Sequence, residues 1–197
     1  SLLINGALLA VFAVQHTVMA RPAFKRWVTR WLPRSMERST FVLAASLSLG
    51  LMFWQWRPLP QAVWEAGSPA LAWVLRAASL GGYALVFVSS FMISHFDLFG
   101  LRQAWMRARG RVYEPVGFRL AGVYRWVRHP LMLGFLIAFW ATPVMTAGHL
   151  FFCVMVSAYI AMGLWFEERD LVAEHGENYL RYRRTVPAIL PWRGRAA

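Results

Sequence analysis

Long stretches of this chain carry no charge at all, and their lengths limit what it can fold into. Ser1–Ala20 contains no Asp, Glu, Lys or Arg, and neither does Ser39–Trp56. Ala77–Phe96 is free of them for 20 residues, and Pro130–Phe166 for 37. A helix needs about 20 apolar residues to cross the hydrocarbon core of a bilayer. The spacing predicts an all-α, polytopic integral membrane protein with about five transmembrane helices, the last run being long enough for two. Thr142-Pro143 and Gly148-His149 mark the expected reversal between those two, since proline and glycine punctuate helices. The first run is longer than a signal-peptide apolar region. It also carries Asn5, Gln15 and His16, with no A-x-A site directly after it, so it reads as a retained span; its removal would leave four. The chain begins at Ser1 rather than Met, which leaves room for residues upstream.

Composition agrees: 58% of the 197 residues are hydrophobic and 15% charged, where soluble domains carry about 25% charged. That excludes a disordered chain and argues against a water-soluble globule. The charge is lopsided, 21 basic residues against 9 acidic. Nineteen of the basic residues fall in three regions: Arg21 to Arg38, Arg102 to Arg128, and Arg169 to Arg195. The loops between hold only Arg57 and Arg76. The positive-inside rule places the basic regions and the C-terminus in the cytoplasm and the N-terminus outside, as expected in a bacterial inner membrane. Trp54, Trp56, Trp64 and Trp73 mark an aromatic belt at the opposite side. Topology and contact with anionic membrane lipids therefore account for the basic charge, and no nucleic acid is implied. Cys153 is the single cysteine, so there is no disulfide framework and no cysteine-based zinc site; no metal is expected. With no internal repeat or linker, residues 1–197 read as a single transmembrane domain, with no obligate protein partner evident.

The polar residues collect at one membrane face. Gln15 and His16 end the first span, His95 and Asp97 the third, Arg128-His129-Pro130 opens the fourth, and Glu167-Glu168 closes the fifth. Ionisable groups at membrane depth tend to mark function. Proline suits the first turn of a helix, which leaves Arg128 and His129 just before a helix N-terminus, where anions are favoured. The structural alternative for Arg128 is snorkelling to lipid phosphate. Glu167 and Glu168 can hold a cationic ligand or pair with arginine; the plainer reading is a solvated acidic helix end, 167–177. No Gly-x-Gly-x-Gly loop follows a strand-like run, which disfavours a Rossmann nucleotide site.

The ordered set Tyr124-x-x-x-Arg128-His129-Pro130-x-x-x-Gly134, a long apolar hairpin, Glu167-Glu168, and His175-Gly176-Glu177-x-Tyr179-x-x-Tyr182-x-x-x-Val186-Pro187 resembles the isoprenylcysteine carboxyl methyltransferase-like superfamily of membrane methyltransferases. The likeness covers roughly 122–191, the expected cofactor-binding core. One departure is Met132, where relatives usually carry tyrosine. Three further segments, Gln15–Pro22, His95–Arg102 and Phe139–Pro143, extend the resemblance over nearly the whole chain, within the NnrU-like branch. The resemblance implies methyl transfer from S-adenosylmethionine to methanethiol, a small volatile thiol, giving dimethyl sulfide and S-adenosylhomocysteine. The cofactor would meet Tyr124, Arg128, His129, Pro130, Glu167, Glu168, Tyr179 and Tyr182, with Arg128 on its carboxylate and a glutamate on its amino group or ribose.

Such a reaction needs a thiolate, because the thiol is the poorer nucleophile, and a histidine is a suitable base near neutral pH. His95 is the first candidate, with Asp97 as its charge partner, and His16 the second. Against these stand a structural histidine at 95 and an Asp97 that pairs with an arginine of the following loop. Two alternatives remain: methylation of a prenylcysteine carboxylate or a lipid amine, and a non-catalytic NnrU-like membrane protein.

Overall fold

A computed structural model describes residues 1–114 and 122–190. Arg119, Arg193 and Arg195 of the basic regions, and Pro191 at the end of the expected cofactor core, lie outside the described residues. The chain forms two compact units, each assembled from two separate stretches: Ser1–Leu59 with Ser94–Gly117, and Pro60–Ile93 with Phe118–Ala197.

In the first unit, α1 (Leu2–Ala20) packs along α3 (Arg34–Gln55). Between them lies α2 (Pro22–Val28), with proline in its first turn. Asn5 is fully buried on α1. Its carboxamide donates to the Arg57 carbonyl at 2.8 Å and accepts the Arg57 N–H at 2.9 Å. This two-way bond satisfies an amide in an apolar setting, where an unpaired one is costly. It also fixes α1 and α3 as antiparallel neighbours, since the start of one meets the end of the other. At the other end of α3, Arg38 Nε donates to the Leu98 carbonyl (2.8 Å) and Ser39 Oγ to that of Gly100 (3.1 Å). These bonds seat the corner between α5 (His95–Leu98) and α6 (Leu101–Ala108). Gly100 has φ +75°, and a Cβ there would lie 2.6 Å from the Ser39 nitrogen, so the corner requires glycine.

In the second unit, α4 (Pro69–Ile93) and α7 (Pro130–Trp140) pack backbone to backbone. A Cβ on Gly82 would lie 2.6 Å from both the Gly134 carbonyl and the Ala138 nitrogen. Ser79 Oγ donates to the Ala138 carbonyl across the same seam at 2.8 Å. Small residues that let two helices approach closely are the usual basis of helix pairing in lipid. After α7 the chain turns through Thr142-Pro143 into β2 (Val144–Thr146), which pairs antiparallel with β1 (Ala62–Glu65). Then α8 (Ala147–His175) runs unbroken past Glu167 and Glu168, and α9 (Glu177–Thr185) folds back on it. Tyr179, Tyr182 and Val186 are buried together against Leu171 and Val172.

Among the described residues, three helices are long and apolar enough to cross a membrane: Leu2–Ala20, Pro69–Ile93 and Ala147–His175. The fold is helical and membrane-associated, but the five spans expected are not all present as such helices. The second expected span exists as α3, 22 residues long, yet Ser39, Thr40, Ser46, Ser48 and Gln55 dilute its apolar run. The fourth falls short in length: α7 has 11 residues, about 16 Å at the α-helical rise. Gly148-His149 does not take part in the reversal; both residues lie in the first turn of α8, which Thr146 caps by accepting from the His149 N–H. The two short strands are the only β-structure among the described residues.

Candidate functional site

The second unit gathers one polar cluster at the start of α7. Pro130 sets the first turn of that helix and is itself buried. The two residues before it are held by main-chain bonds to the tail, with the Arg128 N–H on the Pro187 carbonyl (2.9 Å) and the His129 N–H on Ala188 (3.0 Å). Thus the segment after α9 runs beside Arg128-His129 and fixes their side chains.

Those side chains converge on Glu168. Arg128 grips it with a two-pronged fork, Nε to Oε1 at 2.9 Å and Nη2 to Oε2 at 3.0 Å. His129 Nε2 lies 2.7 Å from Oε1; an ionised carboxylate only accepts, so the ring carries the proton there. Tyr179 donates its hydroxyl to the same oxygen at 2.8 Å, and Arg183 Nε approaches Oε2 at 3.3 Å. The remaining Arg128 nitrogen donates to the carbonyls of Arg183 (3.2 Å) and Val186. Glu168 is 9% exposed and His129 6%. A charge so buried is tolerated only when paired and hydrogen-bonded, and here both carboxylate oxygens are.

Glu167 has a different setting. Its side chain is 48% exposed and lies 3.6 Å from His129 Nδ1. Adjacent residues on a helix point about 100° apart, so when Glu168 faces inward, Glu167 is left at the surface. The pair of acids thus divides into a saturated carboxylate and an available one.

Around this cluster stand the three tyrosines. Tyr179 is buried with its hydroxyl on Glu168, and Tyr182 is buried with its hydroxyl on the Tyr124 carbonyl. Tyr124 in turn donates to the Ser89 carbonyl of α4 at 3.4 Å. Burial pushes all three phenols above the usual tyrosine range, and the negative charge of Glu168 adds to this at Tyr179 and Tyr182, that of Glu167 at Tyr124. Ser89 is fully buried, and its own hydroxyl has no hydrogen-bond partner.

The expected base and its neighbours belong to the first unit. His95 packs its ring against Phe99, centroids 4.7 Å apart. Asp97 takes the structural role anticipated for it, accepting from Arg102 (2.9 Å) and from Ser94 Oγ (3.0 Å). His16 stacks on Phe12 (5.3 Å) and meets Phe41 at 4.8 Å. Gln15 donates to the Met19 sulfur.

Within the second unit, then, the structure brings together Arg128, His129, Pro130, Glu167, Glu168 and Tyr179, with Tyr124 and Tyr182 one link away. Sequence reasoning missed Arg183. Its signal was present: it follows Tyr179 by four residues, a spacing that puts two helical side chains on one face.

Long apolar helices consistent with a membrane protein, and a buried Arg128–His129–Glu168 cluster within the second unit, define the class of protein. The chain belongs to the NnrU protein family, which matches residues 3–173. It is 54% identical to the methanethiol S-methyltransferase of Mycobacterium tuberculosis over 98% of this chain and 79% of that protein. It is 54% identical to methanethiol S-methyltransferase 2 of Bradyrhizobium diazoefficiens, over 97% of this chain and 73% of that protein. For the methanethiol S-methyltransferase of Crocosphaera subtropica the identity is 46%, over 99% and 76%. No solved structure matches the chain.

Proposed function

We propose that this chain transfers a methyl group from S-adenosylmethionine to methanethiol, releasing dimethyl sulfide and S-adenosylhomocysteine. The observation that carries the reading is 44–54% identity, over nearly the whole chain, to proteins named methanethiol S-methyltransferase. The setting we infer is a bacterial inner membrane, with the N-terminus outside and the C-terminus and site on the cytoplasmic face. In this reading α3 is embedded alongside α1, and α7 alongside α4, so that the Arg57 end of α3 faces outward.

The residues of the second unit suit the cofactor. Glu167 offers an exposed carboxylate for its ammonium or ribose hydroxyls. The N-terminus of α7 favours its carboxylate, and the buried Ser89 hydroxyl beside Tyr124 lacks a partner that a ribose or adenine donor would supply. Arg128, whose fork is engaged by Glu168, acts as a positioning residue: it holds the start of α7 against α8 and the tail. Tyr179 and His129 complete the same brace.

When bound, the sulfonium supplies an activated methyl group and its own leaving group. The protein's part is to position the thiol and remove its proton. Orientation of two reactants is worth about 7–11 kcal/mol. We assign the proton to the His95 imidazole, with Asp97 bracing the α5 corner through Arg102, and keep His16 as the second candidate. The thiolate so formed would be the nucleophile toward that methyl group, and His95 would later return the proton to water.

Headspace gas chromatography of detergent-purified protein given methanethiol tests the proposal. Dimethyl sulfide is expected only when S-adenosylmethionine is also present. Binding of S-adenosylhomocysteine without any dimethyl sulfide would overturn the substrate and turn attention to prenylcysteine or lipid amines. Failure to bind either form of the cofactor would point to a non-catalytic protein.

A further inference from the structure

A cavity lies in the first unit, and nothing in the methyl-transfer reading uses it. Its volume is about 320 Å³, and it is lined by Ser35, Gln103, Arg107, Gly110, Arg111 and Tyr113. Three features give it a chemical preference. Arg107 and Arg111 stand at its wall, and neither forms an ion pair among the described residues. The Ser35 hydroxyl and the Gln103 carbonyl oxygen are buried with no hydrogen-bond partner, although the Gln103 amide nitrogen is anchored on the Asp97 carbonyl at 3.2 Å. Ser35 also belongs to the first turn of the 22-residue α3, where the helix end favours negative charge.

An unpaired buried polar atom costs free energy that a ligand can recover. The two arginines and the helix end call for an anion. The Gln103 oxygen can only accept, so the same ligand must also carry a donor. A phosphate ester bearing a free hydroxyl meets both requirements, whereas bare sulfate or a chloride ion meets only the first.

The setting favours a lipid as its source. On α6, Leu101 and Trp105 are one turn apart and 53% and 60% exposed. Arg109 lies over the Trp105 ring at 4.4 Å. An amphipathic helix with leucine and tryptophan on one side and arginine beside them lies in the plane of a membrane interface. The cavity walls Gln103 and Arg107 are on this helix, so it opens at headgroup depth.

We propose that this cavity binds the phosphoglycerol headgroup of an anionic phospholipid, with Arg107 and Arg111 on the phosphate and Gln103 and Ser35 on the glycerol hydroxyls. The test is native mass spectrometry of the full-length chain in detergent, with phosphatidylglycerol or phosphatidylcholine added. Phosphatidylglycerol is expected to be retained preferentially. Loss of each arginine, in Arg107→Gln and Arg111→Gln, should weaken it about fivefold. Arg109→Gln, which removes an equal charge outside the cavity, should leave retention unchanged, and Gln103→Leu should reduce the preference without altering net charge. Saturable binding of sn-glycerol 3-phosphate, in place of the lipid, would assign the site to a soluble phosphate ester and overturn the lipid source. Equal retention of the two lipids, or an equal loss in Arg109→Gln, would overturn the site.

Discussion

Arg128 and Glu168 show how far residue identity carries and where it stops. That an arginine before α7 and an acid after the long hairpin would meet was legible from their order and from the return of α8 to the same end. Which acid would meet it was not. The choice depends on the rotation of α8 about its axis, set by the docking of α9 through Tyr179, Tyr182 and Val186, and no local pattern encodes that. The same rotation engages Arg128 and Tyr179 with Glu168 and sets the Tyr179 and Tyr182 rings edge to face, contacts that residue order alone does not reveal. The division predicts opposite outcomes for two neighbouring substitutions. Glu168→Gln leaves the Arg128 guanidinium buried without its anion, a loss of about 3–5 kcal/mol, and should lower the thermal unfolding midpoint in detergent sharply. Glu167→Gln, at an exposed position, should unfold like the wild type and lose S-adenosylhomocysteine affinity in isothermal titration calorimetry. Equal destabilisation by both would sink the assignment.

At the level of elements, charge-free runs located the helices well and their lengths poorly. The 37-residue run was divided near Thr142-Pro143 as expected, but unequally, because the turn and β2 consume residues that an ideal second span would need. The strands themselves were invisible: Ala62–Glu65 and Val144–Thr146 are too short for an alternating pattern to register. The α4–α7 seam was equally hidden, since a glycine in an apolar helix gives no sign of which neighbour it meets. Its energetic weight can be measured. A Cβ on Gly134 would lie 2.7 Å from the Gly82 carbonyl and 2.9 Å from the Val86 nitrogen. Gly134→Ala should therefore cost about 1–3 kcal/mol, as overpacking does. Gly163→Ala, where nothing lies within 4 Å, should leave the unfolding midpoint unchanged or raise it.

For the molecule as a whole, the arginine distribution makes a claim about sidedness that labelling in intact cells can check. Cys153 is buried and gives a quiet background. With the basic regions inside, a cysteine in Ser68→Cys should react with a membrane-impermeant maleimide before lysis, and one in Arg109→Cys only after it. The opposite order would reverse the topology. The interleaving of the two units has a further consequence, for anyone wishing to divide the gene. A fragment ending at Gly117 holds all of the first unit but strands α4, its glycine face deprived of α7. One ending at Leu59 lacks the α5–α6 corner that Arg38 and Ser39 hold. No single cut at a unit border yields two self-sufficient halves, so truncations of this chain should be insoluble or degraded, and activity should return only when the complementary pieces are produced together.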